Sequence, residues 1–483
     1  MKTKKSVTAV FDIGKTNKKF LLFDDSCELV HKYQEKLEPI HDEDGDVCDD
    51  LLAIEQWIRK NLNEALSNTE LSIDRINFSS YGASLVFLDE ANNPITPLYN
   101  YLKPYPEELL EQFYSKYKSK RELSLETASP PMGMLNSALQ IYWLKHYKSA
   151  RFSKTTTILH FPQYLSFLFS GKKANELTSI GCHTMMWDFF TNSYHQWMHH
   201  EGFVGLLPEI KPLTSTYPIL LGEKKIEVGI GIHDSSSALV PYLYTIEDPF
   251  ILVSTGTWSI SFNPFNNESL NYEELQRDCL CYINVYGSQV KSSRFFLGIE
   301  YSKQLKKIKE YFWDDFDEKE FELDENVIDQ LTSRENSYRK LGLEEAYNSG
   351  PFVQDKPGKW DVSLFKSPTE AYHQLMLDLV SIQSESIKLV LGSVETKKII
   401  VTGGFSMNQS YIHLLASFFP DKEIITSRLP NASALGAAIV INKETIFEND
   451  ITAATQLLDL KTCKLKPIAS VRDYDWKSID APD

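Results

Sequence analysis

Two periods of apolar and polar positions run along the chain, and the points where one gives way to the other mark its elements. Val7-Thr8-Ala9-Val10-Phe11 is a β-branched and apolar run. It meets Asp12-Ile13-Gly14-Lys15-Thr16-Asn17-Lys18-Lys19, after which Phe20-Leu21-Leu22-Phe23-Asp24 resumes the pattern. A strand, a glycine-bearing turn and a second strand predict a hairpin. Across residues 51–66, Leu51, Leu52, Ile54, Trp57, Ile58, Leu62, Ala65 and Leu66 recur at a helical period. Strands are expected at residues 75–78 and 85–88, with Ser79-Ser80-Tyr81-Gly82-Ala83-Ser84 between them. Helical patterns over 135–148 and 161–170 are interrupted by Pro130-Pro131 and Gly171-Lys172-Lys173. Gly229-Ile230-Gly231-Ile232-His233-Asp234 follows a further strand, and Ser235 begins a helix.

The second half repeats the opening device. Glu247-Asp248-Pro249 reads as a hinge between apolar runs. Residues 250–262 then form a second strand, a Thr255-Gly256-Thr257-Trp258 turn and a returning strand. Residues 305–360 are charge-rich with weak periodicity and read as surface helices and loops. A long helix is expected over 369–391 and a strand over 398–402, running into Gly403-Gly404-Phe405-Ser406-Met407-Asn408 and another helix. Asn431 heads a small-residue helix suited to close packing. The pattern beyond 446 is ambiguous. Strands alternating with helices define an α/β protein.

Composition narrows the function. The 483 residues contain 50 Lys+Arg and 66 Asp+Glu, a net charge of −16. That balance disfavours nucleic acid as a partner, since phosphate backbones call for a basic surface. It equally disfavours docking on anionic lipid. No apolar stretch approaches the ~18 residues of a membrane span, and Asp12 interrupts the first apolar run before it could serve as a signal segment. The six cysteines are scattered, without zinc-ligand spacing, and read as free thiols in a reducing, cytoplasmic setting. The acidic stretch 41–50, which opens His41-Asp42-Glu43-Asp44-Gly45-Asp46, reads as a solvated loop. Calcium binding is the sharper alternative, but the rest of an EF loop is missing.

The two hairpins carry the chemistry. A turn that gathers backbone N–H groups cradles an anion, glycine permits close approach, and threonine adds a donor. Two such turns flanking a hinge suit a triphosphate held from both sides. No Walker A motif occurs, and neither Gly229-Ile230-Gly231 nor Gly403-Gly404 completes a dinucleotide fingerprint.

Six short segments, in order over residues 7–445, resemble the FGGY family of carbohydrate kinases. Asp12 through Lys19 resembles the family's first phosphate motif, with a Thr-Asn similar to that of L-fuculokinases. Ser80-Tyr81-Gly82-Ala83-Ser84 resembles a Gly-Val-Asp segment of rhamnulokinases and fuculokinases. Pro162-Gln163-Tyr164 with Gly171-Lys172 and Glu176-Leu177-Thr178-Ser179, then His233-Asp234-Ser235-Ser236-Ser237-Ala238, resemble two further motifs. Ser254-Thr255-Gly256-Thr257-Trp258-Ser259 resembles a rhamnulokinase turn, and Gly403-Gly404-Phe405-Ser406-Met407-Asn408 the adenosine motif.

The resemblance implies two actin-like (ribonuclease H-like) domains of the actin/hexokinase/Hsp70 ATPase superfamily with an active-site cleft between them. Residues 1–246 would carry the sugar and the first phosphate hairpin, 247–447 the nucleotide, and 448–483 a C-terminal tail. It implies ATP-dependent phosphorylation of a ketose or deoxyketose, with Asp234 as catalytic base and Asp12 as the Mg2+ ligand. ATP would meet Asp12, Gly14, Lys15, Thr16, Asn17, Lys19, Gly256, Thr257, Gly403, Gly404 and Asn408. Lys19 stands where the family has Arg and would act as a point charge; Lys15, also a departure, either touches phosphate or faces solvent. The sugar would meet Tyr81, Gly82, Ala83, Ser84, Asn100, His233, Asp234 and Trp258. His233 has a second reading as a structural histidine, and Trp258 as a core aromatic. Ser84 replaces the segment's Asp, removing a hydroxyl acceptor and shifting substrate choice. A homodimer is also suggested. Against this stands a catalytically inactive sugar-binding or regulatory protein on the same scaffold, motivated by Lys15, Lys19 and Ser84.

Overall fold

A computed structural model describes residues 4–313, 322–333, 350–351, 361–446, 455–472 and 474. By internal contacts the chain forms two units. The first joins Met1–Ile246, Cys281–Gln289 and Asn431–Leu457; the second joins Glu247–Leu280, Val290–Pro430 and Leu458–Asp483.

In the first unit the opening hairpin pairs Lys5–Ile13 antiparallel with Lys18–Asp24, and Leu71–Ser80 then joins Lys5–Ile13 in parallel. The sheet order is Thr216–Leu221, Lys224–Gly229, Leu71–Ser80, Lys5–Ile13, Lys18–Asp24, Leu29–Glu35, with Ile232–His233 also parallel to Leu71–Ser80. Alternating side chains of the central strands stack on one face: Phe11 lies 4.7 Å from Phe20 and 5.7 Å from Phe78, centroid to centroid. Each such buried ring contributes about 1.5–3 kcal/mol of hydrophobic stabilisation. Helix Leu51–Leu66 covers this face with Ile54, Trp57, Ile58 and Leu62, and Asp50 caps its N-terminus by accepting from the Ala53 N–H.

The acidic loop is organised from within. The buried Lys103 ammonium lies 2.7 Å from Asp42, 3.0 Å from Asp44 and 2.6 Å from Asp46. Burial opposes its charge, but the three carboxylates outweigh burial and raise its pKa.

The second unit uses the same plan. Phe250–Thr255 pairs antiparallel with Ser259–Asn263 and parallel with Lys398–Gly403, which is followed by Glu423–Ser427. The long helix is Pro368–Lys388, and its buried Gln383 bolts the hairpin in place. The Gln383 amide accepts from Ser259 and donates to Ser261.

Three stretches differ from the sequence pattern. Of residues 305–360, those at 314–321, 334–349 and 352–360 lie outside the described residues, but helix Leu297–Phe312 is more than a surface element: Leu297, Leu305 and Ile308 enter the core. Within the tail, Lys461–Thr462 pairs with Glu423–Ser427, and Ile468 and Val471 are buried in the same core. Helix Ala432–Ile446 belongs to the first compact unit, whereas the sequence division keeps 247–447 together. Its small residues allow this. Asn77 donates to the Ala437 carbonyl (2.7 Å), Asn442 donates to Thr8 (2.6 Å), and a Cβ on Gly436 would stand 1.9 Å from the Ser237 carbonyl oxygen.

Because that neighbour is backbone, Gly436→Ala forces helices Asp234–Thr245 and Ala432–Ile446 apart. The expected result is a loss of about 1–3 kcal/mol, as for an overpacked core. Thermal and urea unfolding measure it, with Gly205→Ala, where a Cβ meets open space, as the control.

Candidate active site

Three parallel strands of the first unit end side by side, and their carboxyl ends carry the polar residues. Asp12 pairs in register with Ser79, Ile232 with Ser79, and His233 with Ser80. Side chains just beyond such ends line the crevices where α/β sheets take ligands. Asp12 is buried, and its cross-strand partner Lys19 reaches it at 3.0 Å. Asp234 opens helix Asp234–Thr245. Its side chain keeps 31% of its surface and lies 3.3 Å from His233 Nε2. Burial lifts its carboxyl above the ordinary range, against hydrogen bonds from Ser235 and the charge of Lys19.

The strand leading to Asp234 is held from behind. Glu176 caps helix Leu177–Ile180 through the Thr178 and Ser179 N–H groups and accepts from the Thr178 hydroxyl. Thr178 in turn accepts from the His233 N–H (3.2 Å). The His233 ring stacks on Tyr282 and lies 3.1 Å from Cys182 Sγ. Burial lowers its pKa to about 3, so it is neutral at physiological pH. A Cβ on Gly82 would come within 2.5 Å of Cys182 Sγ and 3.0 Å of this ring, which explains glycine there.

The first hairpin tip is tied to a residue the sequence reading passed over. Asp49 accepts from Lys15 (2.6 Å), Lys18 (3.0 Å) and the Tyr81 hydroxyl (2.8 Å). Burial works against its charge, but Lys15 and Lys18 overcome that and hold its carboxyl below the usual range. Lys15 is thus paired with Asp49 while its side chain keeps 30% of its surface. Its ammonium lies 5.2 Å from the Tyr81 and Tyr101 ring centroids, a cation–π arrangement. Gly14 N–H closes the turn on the Asn17 carbonyl (3.0 Å), and Thr16 is exposed. Both ends of the Asn100 amide are engaged by backbone: it donates to Val47 and accepts from Leu102. Burial first, then Asp234 and Asp49, pushes the phenol of neighbouring Tyr101 up to about 12. Ala83 is left-handed (φ 57°) and its carbonyl accepts from Gln140, while Ser84 is buried with its hydroxyl unpaired.

The second unit contains its own cavity of about 960 Å3, lined by Gly256, Thr257, Gly298, Tyr301, Tyr372, Gly404 and Asn408 among others. Gly403 (φ 85°) precedes the lining residue Gly404 in sequence, and a Cβ on it would overlap the Thr255 carbonyl oxygen at 1.8 Å. The Thr255 hydroxyl donates to the Thr402 carbonyl and accepts from the Phe405 N–H, fixing the Gly-Gly turn. Asn408 caps helix Gln409–Phe418 through the Tyr411 N–H and donates to the Tyr372 hydroxyl. Trp258 packs against Phe296 (3.7 Å between centroids) beneath the Arg294 guanidinium.

The fold therefore gathers Asp12, Lys19, His233 and Asp234 on strand ends of one unit, and Gly256, Thr257, Gly404 and Asn408 around one cavity of the other. Sequence reasoning missed Lys18, Asp49 and Tyr101, and Gly298, Tyr301 and Tyr372 on the cavity wall. The Leu297–Phe312 pattern and a Gly298 beside the second turn (a Cβ would lie 2.3 Å from the Gly256 carbonyl oxygen) were the available signals for the wall.

Residues 7–212 match the model for the FGGY family of carbohydrate kinases, N-terminal domain, and residues 247–449 that for carbohydrate kinase FGGY, C-terminal domain. A rhamnulokinase of Oceanobacillus iheyensis is 24% identical over 462 residues, covering 89% of this chain and 90% of its own. Among solved structures, a carbohydrate kinase from Novosphingobium aromaticivorans superposes with a TM-score of 0.78 at 21% identity, covering 97% and 96% of the two chains. A ligand-bound xylulose kinase from Lactobacillus acidophilus does so with 0.75 at 16% identity, covering 97% and 95%. With both halves of the family present in order, this chain belongs to the FGGY carbohydrate kinases and is a sugar kinase with their two-domain α/β fold.

The charge of Lys19 favours the ionised form of Asp234. Lys19→Met is therefore expected to move the Asp234 titration to still higher pH. Carboxyl 13C NMR across a pH series, with Asp234→Asn to assign the signal, measures this; an unmoved midpoint would show that the two groups are not coupled.

Proposed function

We propose that the protein transfers the γ-phosphate of MgATP to a hydroxyl of a ketose or deoxyketose of the rhamnulose, fuculose or xylulose type, with Asp234 as general base. The observation that carries this is a recessed carboxylate at a strand end, its pKa raised by burial, beside a neutral His233. Raising a carboxyl toward the working pH makes it a better proton acceptor from an alcohol. The names of the relatives, a rhamnulokinase and a xylulose kinase, support a ketose.

In this reading the sugar lies against Tyr81, Gly82, Ala83 and Ser84, where the unpaired Ser84 hydroxyl has bonding capacity to offer. Asp234 takes the proton from the attacking hydroxyl. His233 remains neutral and orients the site. Lys19 and the hairpin from Gly14 to Asn17 meet the transferring phosphoryl group. Gly256 and Thr257 meet the remaining phosphates, and the cavity by Gly403, Gly404 and Asn408 takes the adenosine. Asp12, a single buried carboxylate beside the hairpin, fits Mg2+, which prefers one or two carboxylates together with phosphate oxygens. Mg2+ would supply neutralisation of phosphate charge there.

A panel of ketoses, polyols and aldoses assayed by ADP release tests the substrate class. Turnover of a ketose or deoxyketose is expected; activity confined to glycerol or aldoses would overturn it. Asp234→Asn is expected to lower kcat by about 10²–10⁴-fold, the range for a lost general base, with nucleotide binding retained. The same variant should melt at higher temperature at pH 7. A carboxyl with a raised native pKa binds its proton more tightly folded than unfolded, so stability falls as pH rises through that window. Above the window the ionised group is a net liability, which the neutral amide removes. Near-normal kcat would remove Asp234 as the base, and an unchanged or lower melting point would remove the strained carboxylate.

A further inference from the structure

Lys18 is an unusual residue to find at the foot of a ligand-binding turn: a lysine with 1% of its surface exposed. An ammonium has three N–H donors. Here all three have acceptors, the carbonyls of Gly14 (3.2 Å) and Lys15 (3.1 Å) and Asp49 Oδ1 (3.0 Å). Lys18 therefore has no donor left for a ligand, and its effect must pass through the groups it holds.

Those groups are two successive peptides. None of the described peptide bonds is cis. In a trans peptide the carbonyl of one residue and the N–H of the next point in opposite directions. Drawing the Gly14 carbonyl toward Lys18 turns the Lys15 N–H away from it, and drawing in the Lys15 carbonyl does the same for the Thr16 N–H. Among the described residues neither amide donates a hydrogen bond, unlike the Gly14 N–H, which closes the turn. Thr16 is exposed at the tip. Adjacent N–H groups presented together in a turn form an anion nest.

We infer that buried Lys18, held by Asp49, is a positioning residue that turns two hairpin peptides so that the Lys15 and Thr16 N–H groups form the phosphate-binding pair. The charges agree. Lys15 and Lys18 share the one carboxylate of Asp49, so this cluster of three keeps a surplus positive charge at the hairpin. Asp49 also accepts from Tyr81, so one carboxylate sets both the phosphate turn and the first residue of the expected sugar segment.

This inference rests on the reading of the hairpin as a phosphate site, and its test separates the two. Wild-type protein labelled with 15N-lysine and 15N-threonine is titrated with tripolyphosphate and with MgADP. The Lys15 and Thr16 amides are expected to shift, identified by loss of each signal in Lys15→Arg and Thr16→Ser. Lys18→Met keeps the stem and leaves Asp49 paired with Lys15. It is expected to raise KM for ATP by about 10- to 100-fold, the loss for charge-assisted contacts, with KM for the sugar within about twofold. A wild-type enzyme that turns over sugar with ATP while both amides stay unmoved overturns the inference alone. So does a folded Lys18→Met with unchanged KM for ATP, or with both KM values raised equally. A wild-type protein that binds neither polyphosphate nor ATP overturns the phosphate reading as well. Should Lys18→Met fail to fold, the wild-type titration decides.

Discussion

A charge removed from water must find its counter-charge within the fold, and this requirement shapes the first unit around its site. A buried ion left without a partner costs several kcal/mol, whereas a matched one is tolerated. Asp49 stands between Lys15 and Lys18, whereas buried Glu176 has hydrogen bonds in place of a counter-charge, from N–H groups at the start of a helix. Each pairing fixes a loop that apolar packing alone would leave undetermined. Through Asp49 the hairpin tip and Tyr81 are set together; through Glu176 and Thr178 the backbone of His233 is set, and with it the position of Asp234.

Both units then apply one construction to different ends. An antiparallel hairpin is followed by a strand that returns in parallel to its first arm, so the turn and the carboxyl end of the returning strand lie together. In the first unit that end carries Ser79 and Ser80, leading to Tyr81 and Gly82. In the second it carries Thr402 and Gly403, leading to Gly404. The first unit supplies titratable groups at these ends, and the second supplies glycines and an open cavity. The division follows from the residues available: Gly403 and Gly298 let backbone segments approach to distances that a Cβ would forbid.

Much of this was legible in the chain, for reasons that can be named. The hairpins announce themselves because apolar runs flank glycine, and helix Leu51–Leu66 because its buried positions recur at a helical period. Gly403-Gly404 and His233-Asp234 could be placed because each follows a short apolar strand. Asp49 could not, since in sequence it is the end of an acidic run with every mark of a solvated loop, and its partners lie 31 to 34 residues away. Lys18 was hidden for a related reason: among three lysines within five residues, nothing local distinguishes the one that folding buries. The placement of helix Ala432–Ile446 against the first unit depends on Asn77, more than 350 residues distant, a pairing that no local pattern encodes.

The acidic loop at residues 42–46 illustrates what such internal pairing does for a protein. Three of its carboxylates converge on one cation, and that cation is the ammonium of Lys103. Being covalently attached, that cation is present at a fixed local concentration and cannot be chelated or diluted away. The loop that ends in Asp49 is thus held independently of the surrounding supply of divalent ions.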